Sequence, residues 1–346
     1  RAGAGSNDER PRLKAPDGVD SAAIERQADA DAWARDLINT PANDLGPEEL
    51  AEAWAQLAQR HGAAFEVITG DALRDGFPLI HAVGRASVKG PRLIDLRWGD
   101  PGAPAVTLVG KGVCFDSGGL NIKTGDYMAL MKKDMGGAAH VFALAHLIMA
   151  SGLPVRLRAL VPAVENAVSG DAFRPGDVAP SRKGLSVEIF NTDAEGRLIL
   201  ADALAYAGEE EGRGGLIIQM ATLTGAARVA LGPDPAPFYT DNEALSGELT
   251  EAAAALGDPV WRLPLWEPYA SALDSPVADL CHTAKSAAPG SIIAALFLKR
   301  FAPDPMNWLH FDIYAWNRQS RPGRPEGGVL QGVRALFEML ERRFRG

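Results

Sequence analysis

The stretch from residue 187 to residue 198 reads Val-Glu-Ile-Phe-Asn-Thr-Asp-Ala-Glu-Gly-Arg-Leu. Its first four residues, Val187–Phe190, are mostly β-branched or aromatic and predict a strand. From Leu198 to Glu210 the apolar residues recur with helical spacing, so a short polar loop separates this strand from a helix. A strand followed at once by a helix is the repeating unit of α/β proteins. The stretch therefore predicts the α/β class.

The same alternation extends over most of the chain. Further strands are predicted at Phe65–Ile68, Arg92–Trp98, Ala105–Gly110, Val155–Val161, Leu216–Ala221 and Trp308–Ile313. Further helices are predicted at Ala23–Ile38, Gly136–Ala150, Glu243–Leu256, Ser291–Phe301 and Val329–Arg343, with another that opens at Pro47. This order predicts a mixed, largely parallel central sheet flanked by helices. Such sheets bind their ligands at the carboxyl ends of the strands.

The composition excludes several classes of protein. Lys and Arg number 35 and Asp and Glu number 44, which gives a net charge of −9. This acidic balance argues against a nucleic-acid or anionic-membrane surface, because both need a dense cationic patch. The two cysteines, Cys114 and Cys281, exclude a disulfide scaffold and favour a reducing compartment. No run reaches the roughly 18 apolar residues of a membrane span.

A polar loop follows the predicted strand Ala105–Gly110. It begins at Lys111 and continues through Asp116 to Lys123, and Asp134 stands at the start of the next predicted helix. Burying so many charges at one edge of a sheet is costly unless a cation compensates the carboxylates. The loop matches neither common glycine-rich phosphate pattern, which argues against nucleotide binding.

The second polar loop, Asn191–Arg197, follows the strand Val187–Phe190. Asp193 and Glu195 are two residues apart, so in an extended segment their carboxylates point the same way. The loop also fits a capped helix N-terminus with acids facing the helix dipole, and on this segment alone capping is the preferred interpretation. Taken with the first loop, the segment favours a metal site, because the charged side chains of both loops are expected at the same edge of the sheet.

Other catalytic schemes fit the chain poorly. There is no H-E-x-x-H motif and no G-x-S-x-G motif, which argues against a zinc helix and a serine nucleophile. Cys114 lies in an apolar stretch and is interpreted as a structural thiol. Oxygen-rich ligands favour Mn²⁺ or Mg²⁺, with Zn²⁺ as an alternative through carboxylate ligation.

The stretch Asn191–Leu198 resembles the signature of the leucyl aminopeptidase family, which are two-metal exopeptidases. Five further segments resemble family motifs in the family's order, namely Val109–Lys123, Met131–Gly137, Ala221–Gly225, Gly257–Pro264 and His310–Ile313. The resemblance runs from about residue 30 to the C-terminus. It implies an aminopeptidase that removes N-terminal, preferentially apolar residues from peptides by means of water activated by two metals.

The resemblance also assigns roles to individual residues. The ligands of two divalent ions per subunit, Zn²⁺ or Mn²⁺ with Mg²⁺ as a further option, would be Lys111, Asp116, Asp134, Asp193 and Glu195. Lys111 would need a neutral amine in order to bind metal. The catalytic residues would be Lys123, which polarises the scissile carbonyl, and Arg197, which holds a bicarbonate acting as general base.

Substrate contacts follow from the same resemblance. The residues implied are Met131, Asn191, Thr222, Leu223, Gly225, Tyr314 and Asn317. The best-known members have a small residue where Tyr314 stands and an apolar one where Asn317 stands. If Tyr314 faces the pocket, we expect the preference to shift from bulky apolar side chains towards smaller or more polar ones. The alternative is that Tyr314 turns away from the pocket and packs in the core.

The resemblance further implies a cytoplasmic homohexamer whose catalytic domain follows a smaller N-terminal domain. Residues 1–22 would be a tail or a remnant of that domain, residues 23–40 a joining helix and residues 41–346 the catalytic domain. Two alternatives stay open: a non-enzymatic role, such as nucleic-acid binding or regulation, and a carboxylate-bridged phosphoryl hydrolase. The acidic charge argues against nucleic acid, the complete ligand set argues against an inactive scaffold, and a requirement for a free amine would exclude the hydrolase.

Overall fold

The computed structural model describes residues 14–211, 215–285 and 288–345, so most of the predicted tail, residues 1–13, lies outside the described part. The strands are β1 (Ala64–Ile68), β2 (Arg92–Trp98), β3 (Ala105–Gly110), β4 (Gly112–Asp116), β5 (Arg156–Asn166), β6 (Val178–Pro180), β7 (Ser186–Glu188), β8 (Leu216–Ala221), β9 (Ala236–Tyr239), β10 (Val260–Arg262), β11 (Leu280–Cys281), β12 (Trp308–Asp312), β13 (Trp316–Asn317) and β14 (Gly327–Gly328). The α-helices are α1 (Ser21–Asn39), α2 (Pro47–His61), α3 (Gly70–Gly76), α4 (Pro78–Gly84), α5 (Gly136–Ala150), α6 (Gly196–Glu211), α7 (Gly225–Leu231), α8 (Glu243–Leu256), α9 (Gly290–Lys299) and α10 (Val333–Arg345). A long 3₁₀ segment, Gly125–Met135, leads directly into α5.

The central sheet has the strand order β1-β2-β5-β3-β8-β12-β9-β10, with β4 also paired to β5. The middle strands β5, β3, β8 and β12 run parallel to one another. Antiparallel pairs occur at β1–β2, β2–β5 and β12–β9. The predicted mixed, largely parallel sheet is therefore confirmed.

The sequence analysis did not predict seven of the described strands, namely β4, β6, β9, β10, β11, β13 and β14. Of these, β4 carries the predicted site residue Asp116. Residues 112–116, which we expected to be loop, form β4 beside the second half of β5. The physical reason is the length of β5, which has 11 residues and extends well beyond the predicted Val155–Val161. β3 pairs with the first half of β5 and β4 with the second half, so Lys111 lies in the break between them.

Both faces of the sheet are covered by helices. Val106 and Leu108 of β3 face one core, which also contains residues of α1, α2, α5, α8 and α10, whereas Val109 faces the other core with α4, α6 and α9. This alternation is the period of two that a strand buried on both sides requires. The predicted bounds of α5 and α8 are confirmed. α10 begins at Val333 rather than Val329, because Gly332 before it has a φ of 74°, outside the helical region.

α1 packs against α5 through its buried residues Ala30, Ala34 and Ile38. Its bounds agree with the helix predicted at Ala23–Ile38, and the interpretation as a joining helix stays a prediction. Cys114 and Cys281 are both free and buried. Within the described ranges, no helix combines the length and the apolar character needed to cross a bilayer.

Candidate metal centre

The charged residues predicted from the two loops meet at one edge of the sheet. Lys111 directly follows β3, Asp116 ends β4 and Thr222 directly follows β8. These positions are the carboxyl ends of neighbouring parallel strands, where α/β sheets bind their ligands. The second loop reaches the same edge just before α6, and brings Asp193 and Glu195 there.

Lys111 lies at the buried end of this cluster. Its Nζ lies 2.8 Å from Asp134 Oδ2 and 2.9 Å from Glu195 Oε1, and it donates a hydrogen bond to the carbonyl of Thr222 at 2.8 Å. The lysine side chain passes so close to Gly196 that a Cβ there would lie 2.5 Å from Lys111 Cε. Glycine in the signature loop therefore leaves room for the lysine to reach the carboxylates.

Lys123 lies at the more open end. Its Nζ lies 2.7 Å from Asp116 Oδ2 and 2.5 Å from Asp193 Oδ1, and its side chain is 12% exposed compared with 3% for Lys111. The other oxygen of Asp116 accepts hydrogen bonds from the Gly118 amide and from Asn166 Nδ2. Asp116 is thereby held in one orientation towards the cluster.

The carboxylates are arranged as a cation site would require. Asp116, Asp193 and Glu195 each offer an oxygen, and these oxygens lie within 4.8 Å of one another. Three buried carboxylate oxygens, Asp134 Oδ2, Asp193 Oδ1 and Glu195 Oε1, have no partner in hydrogen-bond geometry among the described residues, although a lysine Nζ lies within 2.9 Å of each. The residues therefore fit hard divalent ions, which prefer oxygen ligands.

The pKa values also reflect an excess of carboxylates. Burial, and then the neighbouring Asp116, raise the pKa of Glu195 to about 8 and that of Asp193 to about 6. Burial by itself would lower the pKa of Lys111, but Asp134, Glu195 and Asp116 together raise it above its usual value. A divalent cation in the cluster would favour both the ionised carboxylates and a neutral lysine amine.

The signature loop differs locally from the prediction. Thr192–Ala194 form a turn of 3₁₀ helix, so the expected extended segment is wrong. The Asn191 side chain accepts a hydrogen bond from the Asp193 amide at 3.0 Å and so caps this turn. The convergence of Asp193 with Glu195 is confirmed, because both carboxylates group with Asp116. The observed cap belongs to the 3₁₀ turn and not to α6, so the interpretation of the two acids as caps of that helix stays a prediction.

Arg197 is buried, and its charge interacts with that of Glu195 in the cluster. It donates from Nη1 to the carbonyl of His282 at 3.0 Å, while its Nε has no partner among the described residues. Burial lowers the pKa of Arg197 to about 10. His282 in turn contacts the Asn191 carbonyl through Nε2 at 2.8 Å, so it links the arginine to the signature loop. His282 was not identified from the sequence, because no motif marks it.

The predicted substrate contacts are distributed around the cluster. Thr222 Oγ1 donates to the Asp134 side chain at 2.9 Å, which places it at the centre itself. Leu223 is half-buried and its amide donates to Asp312 Oδ1 at 3.1 Å. Gly225 begins α7 and is exposed, and Met131 is half-buried in the 3₁₀ segment that carries Asp134.

The two positions that depart from the family have different surroundings. Asn317 Nδ2 donates to the carbonyls of Arg324 and Pro325 at 2.9 Å each, and Asn317 borders a cavity of about 470 Å³ between α1 and residues 316–334. None of the predicted metal ligands lines that cavity. Tyr314 is half-buried, and its neighbour Ala315 lies against Gly136 at the start of α5.

Besides His282, two further supporting residues were given no role by the sequence analysis. Asn166 donates to both Asp116 and the Thr192 carbonyl, and so joins the two loops. Its position at the end of β5 could have revealed it, had the strand been predicted at full length. Asp312, at the end of β12, accepts hydrogen bonds from the amides of Leu223 and Thr224 and fixes the segment after β8.

Comparisons with known proteins all indicate the same protein family. The model of a family described as the cytosol aminopeptidase family, catalytic domain, matches residues 32–337. A probable cytosol aminopeptidase of Syntrophotalea carbinolica is 45% identical over 329 residues, which are 93% of this chain and 65% of that protein. Another, from Geobacter sp. strain M21, is 43% identical over 315 residues, 90% of this chain and 63% of that protein. The chain thus spans just under two thirds of the length of these relatives.

Two solved structures indicate the same family. The crystal structure of a cytosol aminopeptidase from Coxiella burnetii matches with a TM-score of 0.91 and 52% identity, over 93% of this chain and 70% of that one. The bottromycin maturation enzyme BotP in complex with Mn matches with a TM-score of 0.87 and 38% identity, over 93% of this chain and 71% of that one.

Proposed function

The chain belongs to the cytosol aminopeptidase family, and from that premise we propose that it is a metallo-exopeptidase that removes N-terminal amino acids from peptides. The observation that carries the proposal is the cluster of Asp116, Asp193 and Glu195, whose oxygens lie within 4.8 Å of one another beside two lysines. A hydrolase that acts through metal-activated water needs such an oxygen-rich, largely buried site.

The ions would be held by the five residues predicted from the sequence, Lys111, Asp116, Asp134, Asp193 and Glu195. When bound, a pair of divalent ions supplies a water of lowered pKa and an electrophile for the peptide carbonyl. Mn²⁺ or Zn²⁺ fits this donor set, with Mg²⁺ as a further option. The Mn complex of BotP supports the choice of Mn²⁺ for the first assay.

Two side chains would act on the substrate without holding metal. Lys123 is the more exposed lysine of the cluster, so its ammonium is the one that can reach a peptide carbonyl and stabilise the oxyanion. Arg197 is buried and its Nε is unpartnered, which suits it to bind a small anion. We propose bicarbonate as that anion, acting as the general base that accepts a proton from the attacking water.

The N-terminal side chain would lie among Met131, Asn191, Thr222, Leu223, Gly225 and Tyr314. Thr222 contacts Asp134 directly, so a substrate bound beside it would have its α-amino group close to the metal ligands. Asn317 supports the neighbouring turn through its two carbonyl contacts, and would act on the pocket only indirectly. The family resemblance implies a preference for apolar side chains in this pocket.

The direct test is hydrolysis of leucine amide after removal of metal and again after addition of Mn²⁺. We expect activity only with the metal, because the proposed nucleophile is a water whose pKa the metal lowers. N-acetyl-leucine amide is the matched control, since acetylation removes the free amine that an aminopeptidase requires. Hydrolysis of a phosphate monoester with no cleavage of leucine amide would overturn the proposal in favour of a phosphoryl hydrolase.

We also propose that the chain assembles as a homohexamer in the cytoplasm, as the family resemblance and the names of the relatives suggest. Sedimentation velocity at micromolar concentration is expected to give a hexamer, or a trimer as its half. A stable monomer under those conditions would contradict the proposed assembly. It would not contradict the proposed aminopeptidase activity, because every predicted metal ligand lies within one chain.

A further inference from the structure

Three cations surround the ring of Tyr314. Lys133 Nζ lies 4.7 Å from the ring centroid, Arg228 Cζ lies 5.1 Å from it and Arg318 Cζ lies 5.7 Å from it. Arg318 also donates from Nε to the tyrosine hydroxyl at 2.7 Å. The cations come from separate parts of the chain, the 3₁₀ segment, α7 and the residues after β13, so the fold brings them together.

None of these three cations forms an ion pair with a described residue. Arg318 has only the tyrosine contacts, and neither Lys133 nor Arg228 donates a side-chain hydrogen bond to any described residue. Lys133 is the unusual one, because it is only 6% exposed. Burying a lysine ammonium beside two further cations is unfavourable unless an anion compensates it.

Cation–π attraction does not account for the whole group. One cation over an aromatic face is stabilised by about 0.5–2 kcal/mol. A ring has two faces, however, and a third cation adds repulsion without a third face to occupy. Arg60 offers a comparison within this protein, since no second cation among the described residues lies over the ring of Trp33, from which Arg60 is 4.5 Å away.

The group borders the metal centre. Lys133 precedes the predicted ligand Asp134, and its charge interacts with those of Asp134, Lys111 and Lys123. Ala315, next to Tyr314, lies so close to Gly136 that a Cβ on that glycine would be 2.6 Å from the alanine Cβ and 2.9 Å from Thr222 Cγ2. Tyr314 and its cations are thus next to the segment that carries the predicted substrate contacts.

The backbone at Tyr314 is fixed in an uncommon conformation. Ala315 has a φ of 58°, in the left-handed region that residues with a Cβ seldom adopt. The Gln331 side chain accepts hydrogen bonds from the amides of both Tyr314 and Ala315 at 2.9 Å. Strained backbone of this kind is kept where the surrounding structure requires one orientation, and here it holds the ring among the cations.

We propose that Lys133, Arg228 and Arg318 form a subsite that binds a carboxylate of the peptide substrate. This inference rests on the proposed aminopeptidase function and names its substrate class. The carboxylate could belong to an N-terminal aspartate or glutamate side chain, or to the C-terminus of a dipeptide. Both sources present the same planar anion to the two guanidinium groups, which bind carboxylates through paired hydrogen bonds.

The experiment compares matched substrate pairs at constant ionic strength. For the side-chain source, kcat/KM is measured for the amides of glutamate and glutamine, and for the C-terminal source, for Leu-Leu and Leu-Leu amide. We expect the wild type to favour the charged member of one pair by roughly 10- to 100-fold, the range for a charge-assisted hydrogen bond. Whichever pair shows that ratio identifies the source.

Three variants test the assignment to these residues. Arg228→Met and Lys133→Met remove one charge each and should bring the ratio towards 1. Arg60→Met also removes an arginine from an aromatic ring, but at α2, and should leave the ratio as in the wild type. Arg228 is only half-buried, so its replacement tests the subsite even where Lys133→Met lowers stability.

The outcomes separate the inference from the function on which it rests. If the neutral substrates are cleaved but neither pair shows discrimination, or if Arg228→Met keeps the wild-type ratio, the subsite is wrong and the aminopeptidase function stands. If no substrate is cleaved even with Mn²⁺, the proposed function is wrong, and the subsite that rests on it is wrong as well.

Discussion

Replacement of Glu195 by glutamine is expected to lower metal content and reduce turnover by more than about 100-fold. The reason is the position of Glu195, which is 1% exposed, contacts Lys111 Nζ at 2.9 Å and shares the cluster with Asp116 and Asp193. Changing a residue that only supports a metal ligand commonly costs 10- to 100-fold. Removing one negative charge from a proposed ligand itself should cost at least the upper end of that range.

The measurement is metal content after dialysis against a weak chelator, together with kcat for leucine amide. Glu188→Gln is the matched control, because Glu188 is also buried and lies on the strand before the signature loop, but pairs with Lys285 at 2.8 Å instead of joining the cluster. Glu188→Gln should keep the metal. Full activity of Glu195→Gln after the same dialysis would remove Glu195 from the proposed ligand set.

Much of this centre could be predicted because strand ends are marked in the sequence. Parallel strands bring their carboxyl ends to one edge, so Lys111 after β3 could be placed at this edge from the sequence. Glu195 reaches the same cluster from outside the central sheet, because β7 before it pairs with β6 and β11 in a separate three-stranded sheet. The helices α5 and α8 were predicted to the residue for a similar reason. Each has a sharp boundary, since α5 begins at a glycine pair and α8 is capped by Asn242 and ended by Gly257.

The errors came from places where distant contacts decide the local structure. β4 has no strong strand signal of its own and forms because β5 continues past β3 and offers it an edge. The 3₁₀ turn at Thr192–Ala194 depends on a cap from Asn191, which single-residue spacing does not reveal. The cations around Tyr314 are separated by up to 185 positions in the sequence, from Lys133 to Arg318, so only the fold shows that they are neighbours.

Replacement of Lys123 by alanine should separate metal binding from catalysis. Lys123 Nζ lies 2.7 Å from Asp116 Oδ2 and 2.5 Å from Asp193 Oδ1, so it is beside the proposed ligands without being one of them. Its role in the proposed mechanism is to stabilise the charge that develops on the carbonyl oxygen. Loss of one such donor typically lowers kcat by about 100- to 1000-fold, and we expect a loss of that size with both metals retained.

Lys132→Ala is the matched control, because it removes a lysine from the same part of the chain. The Lys132 ammonium donates to the Asn39 carbonyl at 2.6 Å and lies 5.5 Å from the ring centroid of Trp316, and so points away from the cluster. The two variants should therefore have the same metal content and very different kcat. If Lys123→Ala loses metal in proportion to activity, the lysine acts by holding the site together, and the proposed role at the oxyanion is wrong. If its KM for leucine amide rises while kcat is unchanged, Lys123 contributes to ground-state binding instead.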